Sequence, residues 1–263
     1  MDLKLKGKRA FISGSTQGIG FAIAQQLLEE GASVTINGRQ KSKTEQAKEK
    51  LQKQFPNTQV SAISADFSKK EEVENLLNQL TDIAILINNV GIFEIEEFKN
   101  INDQDWYRYF EINVMSAVRL SRKLFPQMQN NNWGRIIFIS SESGVNVPEN
   151  MIHYGMSKAA MAAIANGLSK LTKGTEITVN TILGGPTYSD GVAATVAQIA
   201  ETQNLELEQM KNAIVQQTNP HILLQRFIDP SEIASLVAYL ASPLSIATNG
   251  ASLRADSGVL KTI

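Results

Sequence analysis

Short runs of β-branched residues alternate along the chain with longer amphipathic stretches, and this alternation limits the folds that the chain can adopt. The predicted strands cover residues 9–13, 33–37, 59–64, 83–88, 135–140, 177–183 and 251–254. A strand, a helix and a second strand in succession form a βαβ unit, in which both strands lie parallel in one sheet. The sequence therefore predicts an α/β fold around a parallel sheet.

Length and charge narrow the class of protein. The chain has 263 residues, of which 43% are apolar and 19% charged, and this predicts a single domain over residues 1–263. With 25 basic and 26 acidic residues, the net charge of -1 indicates no attraction to nucleic acid or to an anionic membrane. Because no stretch resembles a signal peptide or a membrane span, we expect a cytoplasmic protein whose partners are small molecules or copies of itself.

Cysteine and histidine usage excludes several kinds of chemistry. The sequence contains no cysteine, which removes disulfides, thiolate nucleophiles and sulfur-ligated metals. Its two histidines, His153 and His221, are too few for a histidine-rich zinc centre. We therefore predict no metal site.

A glycine-rich turn follows the first predicted strand and opens a predicted helix over residues 18–30. It reads Gly14, Ser15, Thr16, Gln17, Gly18, Ile19 and Gly20. Backbone N–H groups and the positive end of the helix can face a pyrophosphate there, and a Cβ atom would block that approach. The alternative is a tight turn with a purely structural role, which the βαβ context disfavours.

The residues after the second predicted strand indicate which dinucleotide the turn would bind. An acidic residue at this place would bond the ribose hydroxyl of NAD, whereas Gly38 leaves space and Arg39 offers a cation to the 2′-phosphate of NADP. We therefore expect NADP(H), with NAD(H) as the alternative. The other interpretation is a solvated basic edge formed by Arg39, Lys41 and Lys43.

Ser141, Tyr154 and Lys158 form the second chemical motif. Tyr154 and Lys158 are four residues apart and share one face of a predicted helix over residues 151–173. At about 4 Å and an effective dielectric near 20, a lysine attracts a phenolate by roughly 4 kcal/mol, which lowers the pKa of the phenol. Ser141 could hold a carbonyl oxygen while Tyr154 moves the proton. An ordinary exposed Tyr–Lys pair is the alternative.

Together these motifs resemble the short-chain dehydrogenase/reductase family, and the resemblance covers essentially the whole sequence. It extends to Asp66, to Asn89 with its neighbours, and to Asn113. The resemblance implies a Rossmann-type doubly wound sheet of seven parallel strands in the order 3-2-1-4-5-6-7, with helices on both faces. It also implies a homotetramer, or alternatively a dimer, with an interface on helices 103–129 and 151–173.

The resemblance assigns further roles by position. Asp66 would contact the adenine, Asn89 would support the cofactor and sheet, and Asn113 would hold a water chain that leads from Lys158 to solvent. The remaining cofactor contacts implied by the family are Phe67, Val90, Gly91, Gly185, Pro186 and Thr187, with Tyr154 and Lys158 shared between cofactor and catalysis. Gln17 stands where many NADP-preferring members carry a basic residue, so the expected preference depends on Arg39 alone.

Residues 184–226 depart from strand–helix alternation and read as a loop and two helices, which we expect to form a lid over the substrate. Glu142, His153 and Tyr188 are the candidate substrate contacts. The alternative for Glu142 and His153 is a structural or solvent-facing role, because adjacent helix positions point in different directions.

The predicted function is an NADP(H)-dependent oxidoreductase that moves a hydride between the nicotinamide and a carbonyl or alcohol substrate. One alternative is a 3-oxoacyl-(acyl-carrier-protein) reductase, although Asn132 and Thr175 occupy two places where basic residues that dock the acidic carrier would be expected. The other alternative is a regulatory protein that binds NADP(H) without turnover. The presence of Tyr154 and Lys158 disfavours it.

Overall fold

A parallel sheet of seven strands forms the centre of the protein in a computed structural model that describes residues 1–261. The strands are β1 (Arg9–Ile12), β2 (Ser33–Gly38), β3 (Val60–Ser64), β4 (Ile85–Asn88), β5 (Trp133–Ser141), β6 (Glu176–Gly184) and β7 (Ser252–Ala255). Their order is β3-β2-β1-β4-β5-β6-β7. The predicted Rossmann-type sheet is confirmed. The single domain over 1–263 stays a prediction, and its residues 262 and 263 lie outside the described part.

Helices connect the strands. They are α1 (Gly18–Glu29), α2 (Lys41–Gln54), α3 (Lys70–Gln79), α4 (Asp103–Tyr109), α5 (Ser116–Asn130), α6 (Ile152–Ser169), α7 (Asp190–Gln203), α8 (Leu207–Thr218) and α9 (Pro230–Ala241). Among the described helices, none is both long and apolar enough to cross a membrane.

The two faces of the sheet are buried against different helices. Because successive residues of a strand point to opposite faces, Ile12 packs into a core with α1 and α9, whereas its neighbour Phe11 packs into a second core with α3, α5 and α6. Burying one such side chain fully contributes about 1.5–3 kcal/mol. Helices on both faces explain why the strands are nearly continuous apolar runs.

Local signals set the helix ends that border the site. Gly31, with φ of +84°, follows α1 and lets the chain turn back into β2. Asp229 caps α9: its carboxylate accepts from the Ser231 N–H at 2.8 Å, and Glu232 accepts from the Asp229 N–H at 2.7 Å. These ends bring both helices back across the same face of the sheet.

The predicted helix over residues 103–129 is interrupted. A π-helical turn, Phe110–Met115, separates α4 from α5. Asn113 lies in this turn, where its buried amide accepts from the Ile92 N–H at 2.8 Å and donates to the Ile92 carbonyl at 3.0 Å. A widened turn of this kind often occurs at functional sites. The turn therefore ties the helix to the segment that follows β4.

The carboxyl ends of the strands meet at one edge of the sheet. Ser141, the last residue of β5, lies beside Gly184, the last residue of β6. The chain then leaves the sheet through α7 and α8, as the sequence predicted, and these helices enclose a small apolar cluster of their own. This segment rejoins the fold where Thr187 pairs with Ile228.

Candidate active site

A cleft of about 370 Å³ opens at the carboxyl ends of β1, β2 and β4. This is the edge at which the strand order reverses, where open α/β sheets bind their ligands. The predicted residues that line it are Gly14, Thr16, Gln17, Gly18, Ile19, Gly20, Arg39, Asp66, Phe67, Asn89, Val90 and Gly91. Most of the predicted cofactor contacts therefore lie in one place.

The glycine-rich turn is held by the loop after β4. The Ser13 hydroxyl accepts from the N–H groups of Asn89 and Val90 at 2.9 and 3.0 Å. The Asn89 amide in turn donates to the carbonyls of Ser13 and Gly14 at 3.0 and 2.8 Å. A Cβ on Gly20 would lie 2.4 Å from the Gly14 carbonyl oxygen, so the turn itself excludes a side chain there.

Ser15 does not face the cleft as predicted. Its buried hydroxyl donates to the Ile12 carbonyl at 2.7 Å and accepts from the Asn37 N–H at 2.9 Å. Both partners belong to the ends of β1 and β2, so the side chain joins the two strands beneath the turn. We therefore correct its role from cofactor contact to support of the turn.

Charged residues gather at the outer end of the cleft. Exposed Arg39 and Lys43 line it from the β2 end and from the first turn of α2, opposite Asp66. Partial burial raises the pKa of Asp66, but hydrogen bonds from Ser68 and the nearby charge of Arg39 outweigh burial and hold that pKa below its ordinary value. Lys43 was treated in the sequence only as part of a basic edge, and the fold brings it beside Arg39.

Ser141, Tyr154 and Lys158 come together at the inner end, where β5 meets α6. The Ser140 hydroxyl donates to the Lys158 carbonyl at 2.8 Å and joins the strand to the helix. The Lys158 ammonium donates to the Ile139 carbonyl at 2.9 Å and lies 5.5 Å from the centre of the Tyr154 ring. Tyr154 is partly exposed as a residue, whereas its hydroxyl is enclosed by protein.

The expected lowering of the Tyr154 pKa is wrong. Burial raises the pKa of Tyr154, a hydrogen bond with Ser141 offsets part of that rise, and the charge of Glu142 adds to it. Burial also lowers the pKa of Lys158 to about 8, against the opposing influence of Glu142. The reason is that desolvation acts on both groups and is the largest influence on each pKa.

Asn113 joins this group from the other side. Its amide nitrogen donates to the Ser157 hydroxyl on α6 at 2.9 Å. A Cβ built on Gly91 would lie 3.4 Å from the Lys158 ammonium and 3.5 Å from the Asn113 amide oxygen. Asn113 and Lys158 therefore flank Gly91, and the water chain between them stays a prediction.

The three predicted substrate contacts lie in different surroundings. Glu142 accepts from the hydroxyls of Ser141 and Ser143, and its charge acts on Tyr154 and Lys158. His153 is buried between α4 and α6, with its ring centroid 4.0 Å from that of Tyr109. Its ring packs on Trp106 and Tyr109 of α4, and we correct it to a packing residue. Tyr188 packs on Phe227 with ring centroids 5.6 Å apart, under the Lys211 ammonium.

The segment after β6 reaches the cleft further along than predicted. Ser189, Asp190 and Gly191 line it, whereas cofactor contacts by Gly185, Pro186 and Thr187 stay a prediction. The Asp190 carboxylate accepts from the Gly18 N–H at 2.6 Å, at the positive end of α1. Sequence reasoning missed Asp190 because it lies 172 residues from Gly18. The sequence signal that could have identified Asp190 is its position as the first residue of the helix that follows β6.

Comparisons with known proteins match this geometry. A family model described as short chain dehydrogenase matches residues 8–200. The uncharacterized oxidoreductase YvaG of Bacillus subtilis is 40% identical over the full length of both chains, and a 3-oxoacyl-[acyl-carrier-protein] reductase of Aquifex aeolicus is 27% identical over 98% of this chain and 100% of its own. The L-sorbose reductase of Gluconobacter frateurii, solved with NADPH and L-sorbose, has a TM-score of 0.93 at 28% identity, with both chains fully covered.

The strand order and the position of the cleft, where the strand order reverses, point to the same family as these matches. The family model covers well over half of the chain, and a relative at 40% identity spans all of it. The chain therefore belongs to the short chain dehydrogenase family, as an oxidoreductase that acts on hydroxyl or carbonyl groups.

Proposed function

We propose that this chain is an NADP(H)-dependent oxidoreductase that moves a hydride between the nicotinamide and a carbonyl or alcohol substrate, with Tyr154 as the general acid and base. The observation that carries the proposal is the meeting of Ser141, Tyr154 and Lys158 next to a cleft that begins at the glycine-rich turn.

The cleft fits a dinucleotide with its phosphates at the start of α1. Gly14 and Gly18 have φ values of +62° and +60°, so the turn exposes backbone there rather than side chains. The Gly18 N–H donates to the Asp190 carboxylate, an anionic oxygen at the place where a phosphate oxygen would accept. When bound, the nicotinamide would supply or accept the hydride at the substrate carbon.

Two cations support NADP(H) over NAD(H). Arg39 and Lys43 line the outer end of the cleft, where a 2′-phosphate would be placed. The end of β2 presents Gly38 and no carboxylate to a ribose hydroxyl. L-sorbose reductase, whose structure contains NADPH, provides independent support from a relative.

The proton chemistry follows from the surroundings of Tyr154. Because burial raises its pKa, Tyr154 is a neutral phenol at neutral pH and can give its proton to the carbonyl oxygen as the hydride reaches the carbon. Lys158 would stabilise the phenolate left behind, and the Ser141 hydroxyl would orient the substrate oxygen. Both steps run in reverse for alcohol oxidation.

We also propose that α7 and α8 act as the substrate lid.

We further propose that the protein is a homotetramer, with a dimer as the alternative. An apolar groove runs between α5 and α6, and it is lined by Val118, Phe125, Pro126, Ile164, Leu168 and Leu171. Leu171 is 62% exposed, which favours a partner over this surface. Light scattering should give a mass of four chains, and a monomer at micromolar concentration contradicts the proposal. The cytoplasmic location stays a prediction.

The test is a substrate panel followed by NADPH absorbance. We expect oxidation of NADPH with at least one of a set of neutral ketones, keto acids and acyl thioesters. Turnover confined to carrier-bound 3-oxoacyl thioesters would favour the alternative function of a 3-oxoacyl-(acyl-carrier-protein) reductase. Tight NADPH binding without turnover across the whole panel would favour the regulatory alternative.

A further inference from the structure

Glu142 places a carboxylate next to the proposed reacting centre. It follows Ser141 directly, and its two carboxylate oxygens accept from the hydroxyls of Ser141 and Ser143. Burial raises the pKa of the Glu142 carboxyl, and hydrogen bonds from Ser141 and Ser143 oppose that rise. In its charged form Glu142 raises the pKa of both Tyr154 and Lys158, in addition to the effect of burial on each. No salt bridge to Glu142 occurs among residues 1–261.

The carboxylate keeps hydrogen-bonding capacity for a ligand. Two carboxylate oxygens offer about four acceptor positions, and the two serine hydroxyls occupy one on each oxygen. A carboxylate can only accept, so the remaining positions suit a donor such as an alcohol. Ser141 is both a partner of Glu142 and the proposed contact of the substrate oxygen. A substrate carbonyl bound to the Ser141 hydroxyl is therefore separated from the Glu142 carboxylate only by that hydroxyl.

We infer that Glu142 selects the substrate class, favouring neutral carbonyl compounds that carry a hydroxyl close to the reacting carbon and disfavouring carboxylates. This inference rests on the proposed function, because it assumes that the substrate oxygen binds at Ser141. A hydroxyl on the substrate donates to Glu142, whereas a carboxylate at the same place meets a like charge in a poorly hydrated site.

Lys158 is a cation near Glu142. Its ammonium attracts a bound carboxylate in the unmodified enzyme and in Glu142→Gln alike, so the change in preference between the two enzymes isolates the charge of Glu142. Two like charges about 6 Å apart at an effective dielectric near 20 change a binding constant by on the order of 100-fold. We expect discrimination of about this size.

A matched pair of ketones tests the inference. 4-Hydroxy-2-butanone and acetoacetate share a four-carbon skeleton and differ in whether a hydroxymethyl or a carboxylate lies two carbons from the ketone. We expect the unmodified enzyme to show a kcat/KM about 100-fold higher for the hydroxyketone. Glu142→Gln should reduce that ratio at least tenfold, chiefly by improving acetoacetate. Glu149→Gln, which removes an exposed carboxylate seven residues after Glu142, should leave the ratio unchanged.

A second readout does not depend on turnover. With NADPH bound, 1,3-butanediol and 3-hydroxybutyrate cannot react, so calorimetry measures their binding alone. Preference for the diol that falls in Glu142→Gln supports the inference, even if no ketone is reduced and the proposed function fails. Equal binding of the two compounds by the unmodified enzyme overturns the inference, and ketone turnover under that result leaves the proposed function standing. Because this comparison uses the unmodified enzyme, it holds even if Glu142→Gln fails to fold.

Discussion

Two parts of the candidate active site are built in different ways. Next to the cleft lie Asn113, Ser141, Tyr154 and Lys158, which we call the catalytic wall after their proposed role, and the polar groups of these side chains are enclosed by protein. The glycine-turn wall, made of residues 14–20 with Arg39 and Lys43, presents backbone N–H groups and exposed cations. Desolvation strengthens electrostatic effects on a proton, whereas exposed charges act on a ligand through solvent. We therefore expect the first wall to control turnover and the second to control cofactor binding.

The largest expected effect tests the catalytic wall. Tyr154→Phe removes the proposed proton donor and keeps the ring, including its edge contact with Phe93 at a centroid distance of 6.2 Å. We expect kcat to fall by about 10²–10⁴-fold, the usual contribution of a general acid, with the NADPH dissociation constant changed by less than about twofold. Steady-state kinetics and fluorescence titration of NADPH measure the two quantities.

Tyr239→Phe is the control, because Tyr239 lies near the end of α9 that precedes Ser242, and Ser242 contacts Leu3 at the opposite edge of the sheet. It should retain full activity. If Tyr154→Phe keeps more than a tenth of the activity, another group supplies the proton. A large loss of NADPH affinity would instead show that the two walls are not separable.

A smaller effect is expected at the glycine-turn wall. Arg39→Ala removes a charged donor from the place of the 2′-phosphate, and hydrogen bonds to charged groups contribute about 1.5–3 kcal/mol. The preference for NADPH over NADH should therefore fall by roughly 10–100-fold, with kcat at saturating NADPH nearly unchanged. Ratios of kcat/KM for the two cofactors measure this.

The matched control is Lys41→Ala, since Lys41 belongs to the same basic edge and is not among the residues that line the cleft. The loss of NADPH preference in Lys43→Ala should lie between those of Arg39→Ala and Lys41→Ala. An unchanged cofactor ratio in Arg39→Ala would contradict the assignment of NADP(H) preference to this side chain.

The smallest effect concerns the contact between the start of α7 and the glycine-turn wall. Asp190→Asn removes the negative charge that occupies the Gly18 N–H at the start of α1. Interactions of this kind contribute about 0.3–1 kcal/mol and up to about 2 kcal/mol when partly buried. If a cofactor phosphate competes for that nitrogen, NADPH affinity should rise about three- to tenfold in calorimetry. Weaker binding would show that Asp190 and the cofactor are held together.

Local patterns were sufficient to predict most of the sheet. β-Branched runs predicted each strand to within about two residues, because a strand buried on both faces needs a continuous apolar run. Gly31 and Asp229 marked helix ends through their own backbone and side-chain chemistry. The spacing of Ser141, Tyr154 and Lys158 placed all three at the junction of β5 and α6, since one strand end and one helix turn fix their positions.

Directions and distant contacts were not predictable in the same way. The π-helical turn that carries Asn113 read as ordinary helix, because a widened turn has no distinct apolar period. His153 was assigned to the substrate although its ring packs on Tyr109. Ser15 was assigned to the cofactor although its hydroxyl joins two strands.

The sequence by itself determined the parallel sheet, the glycine-rich turn and the grouping of Ser141, Tyr154 and Lys158, because each depends on neighbours within a few positions. Only the tertiary structure decided the electrostatic state of the site: the raised pKa of Tyr154, the placement of Lys43 beside Arg39, and the Asp190 carboxylate on Gly18. Burial and charge contacts depend on which distant segments meet at the strand ends. The fold determines which segments are neighbours there, and no local sequence pattern predicts it.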